Sequence, residues 1–410
     1  MPNSNNELKT VCAVAGGGPA GMMLGFLLAR AGVDVVVLEK HADFLRDFRG
    51  DTIHPSTLEL MHELGLLNEF LKLPHNEVRE LAVQIGDERV VVADFTHLPT
   101  RCKFLAFMPQ WDFLNFLAER GTHYRGFHLH MRSEADGLLE ENGRVTGVTV
   151  KTPNGPVRIR ADLVVAADGR HSILRERAGL SVEDLGAPMD VLWMRLSRRP
   201  DDSAETFGHV EAGRALIMLN RGNYWQCAFV IPKGAAEDVK RKGLAAFRDE
   251  IRELSPWLGA RVQELKDWND LKLLTVSVDR LRQWWRPGLL CIGDAAHAMS
   301  PVGGVGINLA VQDAVAAANI LAEPLRDGHV TPDDLKAVQK RREWPTRVTQ
   351  RMQITIQNRI ICPVLASREK PRLPFVLKLW RMFPFLRRIP ARLVGIGVRP
   401  EHVVTKPAAF

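Results

Sequence analysis

Residues with the types and spacing for chemistry fall at three places in this sequence. The first is Gly16-Gly17-Gly18-Pro19-Ala20-Gly21, a GxGxxG spacing between an apolar, β-branched run at residues 10–15 and a helical stretch at 20–31. Glycines at that spacing divide the work: Gly16 makes a tight turn, Gly18 lets a pyrophosphate approach the backbone, and Gly21 lets helix and strand pack closely. Pro19 and Ala20 open the helix, whose free N–H groups and partial positive charge suit phosphate oxygens. Glu39, followed by Lys40, ends the next apolar run eighteen residues after Gly21. A carboxylate there can accept both hydroxyls of an adenosine ribose, which favours FAD or NAD over NADP, whose 2′-phosphate it would repel. The second place is Asp168-Gly169, where the apolar strand 163–167 leaves the core. The third is Gly293-Asp294, after the apolar run 289–292, followed by His297 and the stretch Pro301 to Asn308, with glycines at 303, 304 and 306. Asp294 is placed to bond a ribityl hydroxyl, and the glycines bare backbone amides at a helix start, where negative charge on a reduced flavin would be stabilised.

The elements around these residues follow from periodicity. Residues 10–38 read as a βαβ unit. Helices are expected at 57–71 and 111–120, and a hairpin at 144–160 turns through Thr152-Pro153-Asn154-Gly155-Pro156. Beyond Gly179 the texture changes to separated strands at 191–197, 215–220, 225–231 and 273–278, with a helix at 244–254. From Gly288 the pattern returns to strand, glycine-rich turn and helix. The fold class read from this is α/β: a Rossmann-like FAD-binding domain built from 1–75, 100–185 and 281–358, an inserted β-sheet substrate domain from 76–99 and 186–280, and a C-terminal helical extension at 359–410.

Composition sets the outer bounds. The chain has 410 residues, of which 46% are hydrophobic and 25% charged, enough for roughly two to three domains and unlike collagen-like, low-complexity or disordered chains. Five cysteines, Cys12, Cys102, Cys227, Cys291 and Cys362, are scattered and never form CxxC, and the thirteen histidines show no HExxH. Neither a disulfide framework nor a metal site is expected, and a reducing, cytoplasmic setting fits. No signal peptide or spanning run of about eighteen apolar residues is visible. The net charge of +7 is concentrated: residues 359–399 carry ten Lys or Arg against Glu369. Without a nucleic-acid-binding signature, this basic segment does not point to DNA or RNA. In it Phe375, Val376, Leu379, Trp380, Met382, Phe383, Leu386 and Ile389 alternate with Lys378, Arg381, Arg387, Arg388 and Arg392. Such an amphipathic helix either packs on the body or a second subunit, or lies on an anionic membrane surface. The expectation is a monomer or homodimer, cytoplasmic, with a possible peripheral membrane contact.

The three motifs in this order resemble the group A flavoprotein monooxygenases, the p-hydroxybenzoate hydroxylase-like family, over roughly residues 11–321. The resemblance implies one FAD, with the sheet domain covering its isoalloxazine ring. It places Arg49 near the pyrophosphate, Gln110 near the flavin, Asp168 toward FAD and the nicotinamide coenzyme, and Asp294 on the ribityl chain. Gly304 and the amides of Gly306, Ile307 and Asn308 would lie at the pyrimidine edge. NADH or NADPH is implied as a transient reductant, consistent with the lack of a second GxGxxG. O2 would then form a flavin C4a-hydroperoxide that hydroxylates an aromatic substrate, here a hydrophobic phenolic or polycyclic one. His297 is a candidate for the flavin pocket or a structural histidine, and Pro301 a candidate for approach to the ring face. Met194, Met218, Gln226 and Phe229 are candidates for the sheet face over the flavin. Arg195, Arg214 and Arg221 lie in the same strands as solvated charges or an acid clamp. With two tyrosines in the chain, Tyr124 and Tyr224, no phenol-activating tyrosine network can be matched. Rival readings keep the fold: a membrane-associated polyprenyl reductase, a quinone-ring hydroxylase, a halogenase, whose WxWxIP stretch is absent, or a non-enzymatic prenyl-protein escort.

Overall fold

The computed structural model describes residues 7–45, 52–203, 205–367, 369 and 373–408. Arg49 lies outside them. An eight-stranded sheet holds the three motifs. Its central strands run in the order Leu289–Cys291, Gly155–Ala166, Glu7–Ala15, Val35–Leu38 and Phe127–His130, all parallel. Their facing residues are almost all apolar, as a sheet covered on both sides requires, and Cys12, Val14, Val35, Val37, Leu163 and Val165 are fully buried. Each buried valine or leucine contributes about 2 kcal/mol relative to exposure. Pairings such as Ala15 with Ala166 and with Leu38 bring the carboxyl ends of four strands into line. Gly16, Glu39, Asp168 and Gly293 leave the sheet on that one edge, where ligands of open parallel sheets bind.

A seven-stranded sheet follows the order Lys272–Leu274, Met189–Ser197, Tyr224–Pro232, Arg214–Asn220, Phe207–Glu211, Glu80–Ile85 and Glu88–Asp94. One face is covered by the helix Leu244–Leu254 and the 3-10 segment Pro256–Glu264. Alternation puts Leu192, Met194, Met218, Cys227 and Phe229 on this face, packed against Phe247, Ile251 and Leu254. Met194, Met218 and Phe229 are therefore corrected from candidates for the flavin face to core beneath helices. The opposite face carries Trp193, Ile217 and Ala228 in one row and Arg195, Leu219 and Gln226 in the next. Leu219 packs with Leu105, Phe107 and Ala391, which turns this face toward the first domain. The strand Asn76–Val78 joins a separate three-stranded sheet with Thr52–Ile53 and Leu105–Phe107 instead of the large one.

The helix Gly306–Arg326 is long and apolar enough to cross a membrane, but 83% of its apolar window is buried inside the fold, so it serves as a core helix. The basic segment forms two helices, Phe375–Met382 and Arg388–Gly395, instead of one. Pro384 explains the break, since proline lacks an N–H and disfavours helical geometry at the residue before it. Residues after His402 are held down: the Asn319 side chain donates to the His402 carbonyl, Arg30 to that of Thr405, and the Ala408 amide to that of Arg30.

Candidate functional site

The glycine turn has the three properties its spacing demands, each at a different residue. Gly16 has φ +109°, and a Cβ there would sit 2.3 Å from the Ala167 carbonyl oxygen. A Cβ on Gly21 would lie 1.9 Å from the Gly16 carbonyl oxygen, so strand and helix touch backbone to backbone. A Cβ on Gly18 would meet nothing within 4 Å, leaving an open approach to the amides that start the helix Pro19–Arg30.

Three acids surround this turn. Glu39 accepts the Gly17 amide at 3.2 Å and the His41 amide at 2.9 Å, which fixes its carboxylate across the mouth, while Lys40 beside it is exposed. Asp168 accepts the Leu174 amide at 3.3 Å through Oδ2, but its buried Oδ1 has no hydrogen-bond partner among the described residues. Burial pushes the Asp168 carboxyl above the ordinary aspartate value, against the pull of Ser172 and nearby amides. Asp294 is partly exposed, with Arg170 Nη2 3.7 Å from its Oδ2. Arg175 ties the second motif to the third by donating to the carbonyls of Arg170 and Ala295. Gly293, at φ +58°, lets this turn pass close to Ala20 and Ala310, on the two helices that flank it.

Of the two readings of His297, its surroundings support the structural one. Its Nε2 lies 2.6 Å from Asp313 Oδ2, and the ring is 1% exposed beside Trp284. The same Asp313 oxygen accepts the Gly293 amide, while Oδ1 accepts Arg342 Nε, and Arg342 reaches Glu401. Burial alone would raise the Asp313 carboxyl, yet His297 and Arg342 outweigh it and hold the group below the usual carboxylate range. This fully buried set braces the Gly293-Asp294 turn from behind. Asp313, Arg342 and Glu401 were not picked out from the sequence, although an aspartate inside the apolar run 309–318 signals a buried partner.

The helix Gly306–Arg326 begins at the glycine-rich turn, with the amides of Gly306, Ile307 and Asn308 in its first turn. The Asn308 side chain is otherwise engaged, its Oδ1 accepting from Ser56 and Thr57. His54, also missed, is fully buried between two carbonyls: Nδ1 is 2.8 Å from Val394 O and Nε2 is 3.0 Å from Gly304 O. Burial lowers its pKa, against the pull of the two carbonyls. Pro301 precedes the turn and Gln110 opens the helix Gln110–Gly121, both half-buried. Of the sheet candidates, Gln226 faces the first domain: its Oε1 accepts Arg221 Nε at 3.0 Å, and the Arg221 guanidinium lies 5.4 Å over the Phe107 ring.

Residues 9–352 match the family model described as "FAD binding domain". A 6-methylpretetramide 4-monooxygenase of Streptomyces rimosus is 32% identical over 88% of this chain and 86% of its own length. The chain belongs to the group A FAD-dependent aromatic monooxygenases. A digeranylgeranylglycerophospholipid reductase of Thermoplasma volcanium is 26% identical over 80% of this chain and 81% of its own length. The crystal structure of pqsL, a probable FAD-dependent monooxygenase from Pseudomonas aeruginosa, shares the fold with a TM-score of 0.72 at 20% identity, covering 87% of this chain and 97% of that one.

The monooxygenase's own geometry fits its flavin. The open side of Gly18 admits a pyrophosphate, and the unpartnered Asp168 Oδ1 awaits a hydroxyl donor of the kind a ribose or ribityl chain offers. Among the described residues no cluster of histidine, cysteine or acid side chains could hold a metal ion.

Proposed function

We propose that this oxidoreductase uses NAD(P)H and O2 to hydroxylate a hydrophobic phenolic or polycyclic aromatic compound. The observation that carries the reading is the apolar sheet face turned toward the cofactor domain, with Trp193, Ile217, Leu219 and Ala228 relieved by Gln226 and Arg221. Bound FAD supplies hydride acceptance and O2 activation. The chain's residues bind and shield: the glycine turn and Glu39 take the adenosine half, Asp168 and Asp294 the sugar hydroxyls, and the amides from Gly306 to Asn308 hold negative charge. An apolar wall keeps water from the reacting centre, which suppresses wasteful peroxide release. The substrate contacts in this reading are Gln226, Trp193 and Ile217, on the sheet face turned toward the first domain.

NADH and NADPH oxidation should be followed with O2 uptake and peroxide release across phenols, anthranilates, quinolones and fused-ring phenolics, beginning with 6-methylpretetramide because a relative is named for it. Coenzyme oxidation stimulated by one compound, with little peroxide and a product heavier by one oxygen, is the expected outcome. A second reading, reduction of a polyprenyl chain, is favoured by the similarity to the phospholipid reductase. Product formed without matching O2 uptake would select it.

A further inference from the structure

The helices Phe375–Met382 and Arg388–Gly395 lie against the strand Glu88–Asp94 and are anchored on one side only. Leu373 and Leu377 pack on Ile85 and Val90, and Ala391 on Phe95, Leu98 and Phe107. Gly395 sits so close that a Cβ would be 2.9 Å from Leu98 Cδ1. Away from these anchors the apolar side chains face outward: Phe375 is 77% exposed, Met382 71%, Ile389 59% and Phe385 58%, continued by Val376, Phe383 and Leu393. Phe383 and Phe385 pack edge to face on each other at the break between the helices. Scattered exposed apolar residues are ordinary, whereas a run of this kind on one short segment marks a binding surface.

The cations on the same segment select the occupant. Residues 373–400 contain Lys378, Arg381, Arg387, Arg388, Arg392 and Arg399 and no acid. Arg381 pairs with Glu88 and Arg387 donates to the Trp380 carbonyl. Lys378, Arg388 and Arg392 are exposed and have no ion pair among the described residues. A two-fold contact with a second copy would set this acid-free segment against itself, like charge on like. A surface with an apolar interior and anionic headgroups satisfies both features at once.

We propose that the exposed face of residues 375–393 docks this enzyme on an anionic lipid surface, with Phe375, Met382, Phe385 and Ile389 in the acyl boundary and Lys378, Arg388 and Arg392 among the headgroups. Through the Val394 carbonyl that His54 touches, the docked segment adjoins the Gly304 turn at the flavin site. The inference is independent of the substrate reading.

The test is co-sedimentation of the full-length, FAD-loaded protein with vesicles of phosphatidylcholine alone and of phosphatidylcholine mixed with phosphatidylglycerol. Binding about tenfold stronger to the anionic vesicles, and lost in high salt, is expected. The double variant R388E/R392E should lose that preference, and F385S/I389S should lose binding to both vesicle types. All these side chains are exposed, so flavin content and sedimentation coefficient should stay at wild-type values; if a variant misfolds, lipid and salt dependence of the wild type still decide. No vesicle binding, or equal binding to neutral and anionic vesicles, overturns the proposal. So does a wild-type dimer that the F385S/I389S pair turns into monomer, which would assign the face to a second copy.

Discussion

The carboxyl edge of the first sheet and the inner face of the second, which we propose to serve one reaction, are built by different rules. At the edge the backbone does the recognition: positive φ, missing Cβ atoms and helix-start amides, with few side chains involved. On the second sheet recognition falls to alternating side chains, and which set faces the cofactor depends on where the helix Leu244–Leu254 lies. A backbone-built site depends strictly on residue type, whereas a side-chain-built site depends on distant packing and tolerates exchange.

Substitutions can break or sharpen that contrast. The largest effect is expected at Gly21→Ala, whose Cβ would strike the Gly16 carbonyl with no flexible side chain to yield. Soluble yield and flavin content should collapse, since overpacking of a tight contact alone costs about 3 kcal/mol; a normal melting temperature with bound FAD would refute the close-contact role. Asp313→Asn should destabilise by about 3 kcal/mol, because it removes the charge shared by His297 and Arg342 and leaves buried Arg342 with Glu401 as its one carboxylate. Asp313 is held below its ordinary value in the folded state, so the stability it adds is present at neutral pH and lost as pH falls below about 4 through the folded pKa. Thermal melts across pH 3–7, roughly the span in which carboxylates titrate, should be steeper for the wild type than for the variant; parallel curves would contradict the assignment.

The two faces of the second sheet are separated by a smaller pair. Met218→Ala should cost about 2–4 kcal/mol by leaving a cavity under the helix, with KM for the aromatic substrate unchanged. Ile217→Ala, one residue along on the other face, should cost less stability but raise KM and peroxide release. The reverse pattern would restore Met218 to the flavin face. The smallest effect on folding is expected at Gly18→Ala, where the new methyl meets empty space. Its melting temperature without flavin should match wild type within about 2 °C, while FAD affinity falls about tenfold, read by titration of the apoprotein.

The same contrast explains what could be read from the sequence. Gly16, Gly18, Gly21, Glu39, Asp168 and Asp294 are visible because each sits next to the strand that positions it, and local spacing records that geometry. Met194, Met218 and Phe229 could only be candidates from sequence, because period-two alternation names two faces without saying which a helix will cover. His297 could be read two ways from its position after Gly293-Asp294, because its partner Asp313 lies sixteen residues on and Arg342 on another helix. His54 was invisible for the same reason, since both carbonyls it touches come from the far end of the chain.

Glu401, Thr405 and Ala408 engage Arg342 and Arg30, so residues 401–408 bind the helix that carries Arg342 and the end of the first one, Pro19–Arg30. In the order of synthesis this has a definite meaning. The strand Glu7–Ala15 and helix Pro19–Arg30 leave the ribosome long before Gly306–Arg326 can cover them, and Asp313 and Arg342 wait for Glu401. Completion of the cradle therefore waits for residue 401, and a chain stalled short of it would hold Asp313 and Arg342 together without the second carboxylate that Arg342 reaches.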